Sequence, residues 1–227
     1  MPPLMKKIVV LTFALFCIAQ QTYSYKPSFF GDEIENSAHF LADKLNLNDQ
    51  AVLLAMTGYE KLKQQGKLIN SRYLSIADFS KPSNEQRFYI IDMFLQTVVL
   101  QTLMAHGKNS GTLFAKYFSN RNRSNQSSLG FYITGSTYSG KHGKSLELEG
   151  VEKGINDKAH QRAIVLHGAD YVSNNYIHQQ GFLGRSLGCP AVPNHLVKNI
   201  IETIQGASCF FIYAPDKKYL DQSRLIN

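Results

Sequence analysis

Two stretches near the start of the chain place apolar residues at helical spacing. In the first these residues are Ile34, Ala38, Leu41, Ala42 and Leu45, and in the second, between Asp49 and Gln65, they are Val52, Leu53, Met56, Tyr59 and Leu62. Each stretch therefore has one apolar face, which is stable only when it packs against another apolar surface. We predict two packed helices here.

The pattern changes at Tyr73, after which the apolar runs are shorter and richer in β-branched and aromatic residues. Runs of this kind, separated by turn-forming residues, are typical of strands. The predicted strands cover 73–79, 87–93, 97–104, 130–134, 145–148, 162–167 and 209–213, and a late helix covers 195–205 before Gly206. We predict an α+β fold, with a mainly antiparallel sheet, N-terminal helices and this one late helix.

The first 24 residues have the composition of a secretory signal peptide. Lys6 and Lys7 precede an uncharged apolar run of twelve residues at 8–19, and polar residues follow up to Ser24. A membrane-spanning helix needs about 20 apolar residues, so an uncleaved anchor is the weaker interpretation. Phe16 precedes Cys17, where a lipoprotein signal has a small residue. We expect cleavage after Ser24, export to the periplasm or cell envelope, and no stable membrane insertion.

Composition and charge exclude several classes of protein. A chain that is 44% hydrophobic, 18% charged and 11% aromatic is neither disordered nor fibrous. Without residues 1–24 it holds 22 Lys and Arg against 17 Asp and Glu, and this positive balance suits an anionic surface such as a cell wall. Nucleic acid is not an expected partner, because no basic cluster is interleaved with aromatic residues.

The segment from Gly135 to Lys141 nearly completes a phosphate-binding loop. His142 stands where that loop needs a Ser or Thr to hold magnesium, and 145–149 alternates like a strand where a helix would have to follow. We therefore predict a glycine-rich hairpin, and no nucleotide cofactor.

Two cysteines lie beyond the signal and differ in their surroundings. Cys209 begins the apolar run 209–213 and is predicted to be a buried, inert strand residue. Cys189 sits in a turn that contains two glycines and a proline. A residue in the core of a strand points away from such a turn, so we expect no disulfide between the two.

A histidine at a strand end suggests a partner for Cys189. The apolar run 163–166 ends in His167 and Gly168, and Cys189 follows twenty-two positions after His167. A free thiol is only slightly ionised at neutral pH, and a nearby imidazole lowers its pKa and carries the proton during acyl transfer. Backbone N–H groups of the Gly188-Cys189 turn would stabilise an oxyanion. A buried cysteine and a structural histidine are the alternative that spacing alone leaves open.

The sequence around this pair resembles a known family. His167-Gly168 followed by Ser186-Leu187-Gly188-Cys189 is similar to the signature of murein L,D-transpeptidases of the YkuD type, in which a His-Gly strand precedes a Ser-His-Gly-Cys turn. The segments 105–111, 118–120, 127–130 and 184–192 resemble a divergent branch of that family, the murein L,D-transpeptidase catalytic domain family. The resemblance covers roughly 73–213.

The resemblance implies a role for each matching residue. Cys189 is the nucleophile that becomes acylated, His167 is its base, and Ser186 and Gly188 shape the oxyanion site. Members of the family cleave after the third residue of a peptidoglycan stem, release the terminal D-alanine, hold the stem as a cysteine thioester and transfer it to an amine of a neighbouring stem. No metal and no organic cofactor is implied.

This chain departs from the family pattern beside the nucleophile. Leu187 replaces the usual His, and Pro190-Ala191 stands where the pattern has an Arg or Asn. Arg185, on the other side of the turn, is the candidate for the missing cation that would bind a substrate carboxylate. A surface or structural role for this arginine is the alternative.

Further substrate-binding candidates surround the pair: Gly168, His106 and Tyr171, together with Arg185. His106 lies in a glycine-rich segment that the resemblance places beside the sheet. Tyr171 lies in the long connection 169–185, a candidate lid, where it would line the donor cleft or pack its own loop. A zinc site of His106, His167 and Cys189 is disfavoured, because these residues lack the paired close spacing of such sites.

We therefore expect a signal peptide at 1–24, an N-terminal helical segment at 25–70 and an L,D-transpeptidase-like catalytic domain at 71–227. The predicted function is a peptidoglycan-remodelling L,D-transpeptidase that acts on stem peptides. A cysteine peptidase that hydrolyses stem peptides and a non-catalytic wall-binding module are the alternatives. The first two share the Cys189 and His167 pair and differ only in the acceptor, which is an amine or water.

The signal assignment makes a direct prediction. The exported protein is expected to begin at about Tyr25, because small Thr22 and Ser24 follow the apolar run at the spacing of a cleavage site. N-terminal sequencing of the protein from the cell envelope is the measurement. A mature form that retains Met1 or begins at a lipidated Cys17 would contradict it.

Overall fold

The structure is a computed structural model that describes residues 28–141 and 143–227. The expected signal peptide, Cys17 and His142 lie outside these residues. Within the described ranges, no helix is long and apolar enough to cross a membrane. The same ranges contain no group of three or more His, Cys, Asp or Glu side chains that would hold a metal ion.

Two helices precede the sheet, as the apolar repeats predict. Helix α1 spans Ser28–Leu45 and α2 spans Asp49–Gln64. Asn48 caps α2, because its side-chain oxygen accepts a hydrogen bond from the Ala51 N–H at 3.2 Å. The buried face of α2 packs on the sheet and α1 packs on α2. Both helices therefore belong to the same core as the strands.

The remaining chain forms strands with three short helices. The strands are β1 (Tyr73–Asp78), β2 (Phe88–Asp92), β3 (Thr97–Thr102), β4 (Gly130–Gly140), β5 (Gly143–Gly150), β6 (Val165–Ala169), β7 (Ala191–Pro193) and β8 (Cys209–Tyr213). Helix α3 spans Asn174–Gln180, α4 spans Asn194–Ile204 and α5 spans Lys217–Gln222. In the described part of the chain these strands make one sheet in the order β3-β2-β1-β8-β4-β5-β6-β7.

Strand β8 occupies the middle of the sheet because all five of its residues are apolar and buried. It pairs in parallel with β1 and antiparallel with β4. Phe211 stacks on Phe131 of β4 with ring centroids 4.2 Å apart, which adds directional aromatic packing to the burial of both rings. Cys209 is fully buried in this strand.

The two edges of the sheet meet through a short bridge. After the edge strand β3, Ala105 pairs with Ala191 of the opposite edge strand β7. The Ala105 N–H donates to the Ala191 carbonyl at 2.8 Å, and the Ala191 N–H donates back at 3.3 Å. The chain from the first edge thus covers the last one, and the segment 105–111 lies against the loop that carries Cys189.

The predicted α+β fold is confirmed, with a sheet that is mostly antiparallel. The predicted glycine-rich hairpin is also present, because β4 runs on to Gly140 and pairs with Gly143 of β5. Strand β6 begins only at Val165, since the preceding residues form turns and Ala163 has a left-handed φ of 50°. The sequence analysis missed β7, α3 and α5, which are short and, in α3, almost entirely polar.

Close packing of α2 on the sheet predicts the effect of a small substitution. A Cβ on Gly58 would lie 2.1 Å from Cζ of the buried Phe131 ring. Although alanine favours a helix over glycine, Gly58→Ala is expected to lower the free energy of unfolding by about 1–3 kcal/mol through overpacking. Thermal or urea unfolding is the measurement, with the exposed Gln64→Ala of the same helix as the control. Equal or higher stability of Gly58→Ala would contradict the packing.

Candidate active site

Three of the four residues predicted to be catalytic, Cys189, His167 and Ser186, line one cleft of about 510 Å³. The cleft is lined by Tyr138, Gly140, Lys141, Ser145, Arg162, Ala163, Val165, His167, Tyr171, Arg185, Ser186, Leu187 and Cys189. The structure thus brings Cys189, His167, Ser186, Arg185 and Tyr171 to one surface. The other three candidates, Gly168, Gly188 and His106, are not part of this lining.

A hydrogen-bonded turn presents Cys189 to the cleft. The Ser186 hydroxyl donates to the Cys189 carbonyl at 2.6 Å and accepts from the Gly188 N–H at 3.0 Å. The Ser186 side chain therefore joins the Gly188 N–H and the Cys189 carbonyl within the turn. Because the Gly188 N–H already donates to Ser186, it is not free to donate to an oxyanion. Of the two N–H groups in the Gly188-Cys189 turn that were expected to stabilise an oxyanion, that of Cys189 is left.

Glycine is required at position 188 by both backbone geometry and space. Its φ of 130° lies in the region that residues with a Cβ rarely adopt. A Cβ there would lie 2.9 Å from the Gln126 carbonyl oxygen and 3.1 Å from Arg162 Nη2. The turn before Cys189 is therefore pressed against the 119–128 segment and the Arg162 guanidinium.

Backbone pairing holds the turn from the side of the 105–111 segment. The Ser186 N–H donates to the His106 carbonyl at 3.1 Å, and the Lys108 N–H donates to the Ser186 carbonyl at 2.9 Å. The Ser127 hydroxyl donates to the Gly188 carbonyl at 3.2 Å and accepts from the Gly107 N–H at 3.0 Å. These bonds fix the backbone on both sides of the turn.

The Cys189 thiol rests against the start of β6. Its S–H donates to the Ala163 carbonyl, with Sγ 3.5 Å from the oxygen. Burial raises the pKa of the Cys189 thiol, whereas a backbone hydrogen bond from Val165 and the cations of Arg162 and Lys141 lower it, and the net direction is upward. The side chain at rest is therefore the neutral thiol, and a base is needed to form the nucleophilic thiolate.

His167 lines the same cleft as Cys189. It is buried in β6, and its Nδ1 lies 2.8 Å from the Gly168 carbonyl oxygen. A carbonyl can only accept, so Nδ1 carries the proton and Nε2 holds the lone pair. In the parallel pairing of β6 with β7, His167 stands opposite Ala191, two residues beyond Cys189. The same strand therefore orients the imidazole and sets its distance from the turn.

Gly168 serves packing instead of lining the cleft. A Cβ at this position would lie 2.3 Å from Asn194 Oδ1 and 3.2 Å from Asn194 Cα. The start of α4 therefore packs directly on the β6 backbone. Gly168 thus allows close helix packing and supplies a carbonyl that orients His167, and its expected contact with substrate stays a prediction.

Arg185 and Tyr171 both face the cleft. Arg185 is exposed, its guanidinium lies 5.4 Å from the Phe182 ring centroid, and its Nη1 donates to the Gly111 carbonyl at 3.2 Å. Tyr171 is half-buried, and burial raises the pKa of its phenol to about 12, so it stays protonated. A Cβ on Gly184 would overlap Tyr171 Cβ. The tyrosine thus both packs its own loop and lines the cleft.

His106 is a buried structural residue behind the turn. Arg87 Nη2 lies 2.8 Å from His106 Nδ1, and because guanidinium only donates, Nδ1 accepts. Nε2 then donates to the Gly111 carbonyl at 3.3 Å. Burial lowers the pKa of His106 to about 3. His106 is fully buried and is not among the residues that line the cleft, and its expected contact with substrate stays a prediction.

Arg162 and Lys141 are cleft residues that the sequence analysis did not single out. Arg162 precedes β6 and is half-buried, while Lys141 lies on the exposed hairpin between β4 and β5. Neither stands in a motif with Cys189, since 27 positions separate Arg162 from Cys189. Lys141 reaches the cleft from the β4–β5 hairpin and Arg162 from the turns before β6.

Comparison with known proteins identifies the family. A family model described as the L,D-transpeptidase catalytic domain matches residues 43–213, which is well over half of the chain. The protein belongs to the L,D-transpeptidase family. The resemblance found in the sequence is thereby confirmed, and the matched span includes the cleft and every predicted site residue. A search of curated proteins finds no match.

Solved L,D-transpeptidase structures are similar to this chain at low identity. An L,D-transpeptidase from Mycobacterium smegmatis is 12% identical with a TM-score of 0.39, and the alignment covers 63% of this chain and 59% of that one. The helical cell shape determining protein Pgp2 from Campylobacter jejuni is 12% identical with a TM-score of 0.41, covering 71% and 57%. An L,D-transpeptidase from Stackebrandtia nassauensis is 11% identical with a TM-score of 0.38, covering 83% and 93%. This chain thus spans less than two thirds of the first two proteins.

Both thiols of the described chain are free, and their surroundings predict different reactivity. Cys189 lines the cleft, whereas Cys209 is fully buried and burial strongly raises the pKa of its thiol. Iodoacetamide is expected to modify Cys189 in the native protein and Cys209 only after denaturation. Peptide mapping by mass spectrometry is the measurement. Modification of neither residue in denaturant without reductant would indicate a disulfide and contradict this arrangement.

Proposed function

We propose that this L,D-transpeptidase remodels peptidoglycan by holding a stem peptide as a thioester on Cys189. The observation that carries the proposal is the shared cleft, where a turn held by Ser186 presents the thiol and an oriented His167 completes the pair. Export to the periplasm or cell envelope, where such a substrate lies, is part of the same proposal.

In the first half of the reaction, His167 Nε2 takes the proton from the Cys189 thiol. The thiolate attacks the carbonyl carbon of the third stem residue, and a carbon–sulfur bond forms. The carbon–nitrogen bond to the terminal D-alanine then breaks, and the leaving amine receives the proton from the His167 imidazolium. The products are free D-alanine and the stem held as a thioester.

In the second half, an amine of a neighbouring stem attacks the thioester carbonyl. A new carbon–nitrogen bond forms, the carbon–sulfur bond breaks, and His167 passes the proton of the amine to the departing thiolate. Enzyme and base return to their starting states. If water attacks instead, the product is a shortened stem, which is the reaction of a cysteine peptidase.

The charge of the cleft supports an anionic substrate. Among its described lining residues are the cations Lys141, Arg162 and Arg185, and none is Asp or Glu. Peptide stems carry carboxylates, and we assign their binding to Arg185, whose exposed guanidinium lines the cleft and donates to the Gly111 carbonyl. For the oxyanion, the Cys189 N–H is the proposed donor in this turn, since the Gly188 N–H is bound to Ser186.

Replacing the two central residues tests the chemistry. Cys189→Ser is expected to abolish turnover, because His167 cannot readily ionise a hydroxyl, and His167→Ala is expected to lower the rate about 10²–10⁴-fold. The double variant is expected to be little worse than Cys189→Ser, since the two act as one unit. Mass spectrometry of tetrapeptide muropeptides incubated with the purified protein is the measurement.

Two control variants separate chemistry from folding, and the products separate the alternatives. Cys209→Ala removes the buried thiol and His178→Ala removes an exposed histidine outside the cleft, so both are expected to retain turnover. Crosslinked dimers identify a transpeptidase, and tripeptides alone identify a peptidase. If the wild type forms no product, and if wild type and Cys189→Ser bind the wall equally, the protein is a wall-binding module and not an enzyme.

A further inference from the structure

Arg162 is held in the wall of the cleft by a set of hydrogen bonds. Its Nη1 donates to the Ser119 carbonyl at 2.7 Å and to the Ser128 hydroxyl. Its Nη2 donates to the Gln126 carbonyl and, at 3.4 Å, to the Ser124 hydroxyl. All four acceptors lie in the 119–128 segment, which packs behind the nucleophile turn. The guanidinium therefore has one fixed orientation.

The positive charge of Arg162 is not neutralised by an acid. Its four acceptors are two carbonyls and two hydroxyls, and within the described residues no carboxylate oxygen comes within salt-bridge distance of its nitrogens. Burial lowers the pKa of Arg162, yet an arginine remains charged at neutral pH. A half-buried cation without a counter-ion attracts whichever negative charge forms beside it.

One group near Arg162 that acquires negative charge in the proposed reaction is the thiol of Cys189. A Cβ on Gly188 would lie 3.1 Å from Arg162 Nη2, so the guanidinium touches the turn one residue before the nucleophile. Arg162 lowers the pKa of Cys189, and a charged Cys189 raises the pKa of Arg162. The two groups favour each other's charged forms.

We propose that Arg162 is a positioning residue that stabilises the Cys189 thiolate while clamping the 119–128 segment against the nucleophile turn. This rests on the proposed function, because it gives that cysteine its role. The cation that stabilises the thiolate thus lies just before β6, whereas Arg185 lies on the loop before the nucleophile turn. In this arrangement Arg185 is left to bind substrate at the rim.

Other charged or titratable groups line the same cleft as the thiol. They are Lys141 on the β4–β5 hairpin, Arg185 on the loop before the turn, His167 on β6, and the phenols of Tyr138 and Tyr171. Lys141 and Arg185 are exposed, so solvent and salt screen their charges. Arg162 is half-buried and fixed, and its effect on the thiol is therefore expected to be larger and less sensitive to salt.

The pH dependence of thiol alkylation tests the proposal directly. The rate of Cys189 modification by iodoacetamide is followed from pH 5 to pH 11 by mass spectrometry of the Cys189 peptide. Arg162→Gln is expected to move the midpoint of the rate profile upward by about one pH unit, and Arg162→Lys is expected to stay closer to wild type. Lys141→Gln is the control for an exposed cation and is expected to cause a smaller shift.

A second pair of variants keeps Arg162 in place, and one of the two compensates its positive charge with a carboxylate. Ser124 is half-buried with its hydroxyl 3.4 Å from Arg162 Nη2. Ser124→Asp puts a carboxylate against the guanidinium and is expected to raise the midpoint of the rate profile. Ser124→Asn, whose side chain has the shape of Asp without its charge, is expected to leave the midpoint near wild type. This pair decides the matter if Arg162→Gln fails to fold.

The outcomes are distinct. A folded Arg162→Gln with an unchanged midpoint, or equal midpoints for Ser124→Asp and Ser124→Asn, would overturn the proposal and leave Arg162 as a purely structural clamp. Thermal melting of each variant identifies loss of folding separately. Alkylation needs no peptidoglycan, so a failure of the proposed transpeptidase function would appear in the muropeptide assay and not in this one.

Discussion

The parallel pairing of β6 with β7 is the constraint on which the site depends. Strand β7 has only three residues, yet it sets Ala191 opposite His167 and begins two residues after Cys189. Ala191 is fully buried and also bonded to Ala105 on its other side. Because the backbone on both sides of Ala191 is paired, neither the base nor the nucleophile turn can shift without breaking buried hydrogen bonds.

The turn before Cys189 is supported by polar atoms instead of apolar packing. Ser186 and Ser127 each donate to one carbonyl of the turn. Each also accepts a hydrogen bond from a backbone N–H, which is that of Gly188 for Ser186 and that of Gly107 for Ser127. Hydrogen bonds are directional, so such a network fixes backbone orientation more closely than contacts between apolar side chains. A fixed backbone orientation suits the chemistry proposed for Cys189, in which the sulfur meets both a base and a carbonyl carbon.

Local patterns predicted the parts of the fold that depend on local sequence. The central strand β8 and both N-terminal helices are long enough for periodicity and composition to identify them. Strand β7, with a proline in three residues, is a strand only because Ala105 and β6 flank it. In the site, the Cys189 and His167 pair was predicted from its local context, a strand end and a glycine turn, and from the motif resemblance. The role of His106 depends on Arg87 and that of Arg162 on the 119–128 segment, and such partners become visible only in the fold.

The Arg87–His106 contact has a consequence for acid stability. His106 has a folded pKa of about 3, below the ordinary value of 6.5 that it regains on unfolding. As the pH falls below 6.5, the unfolded chain gains a proton that the folded chain refuses until about pH 3, so acid favours the unfolded state. The backbone of His106 also accepts from the Ser186 N–H. Acid therefore weakens the folded state through a buried residue whose backbone supports the turn before Cys189.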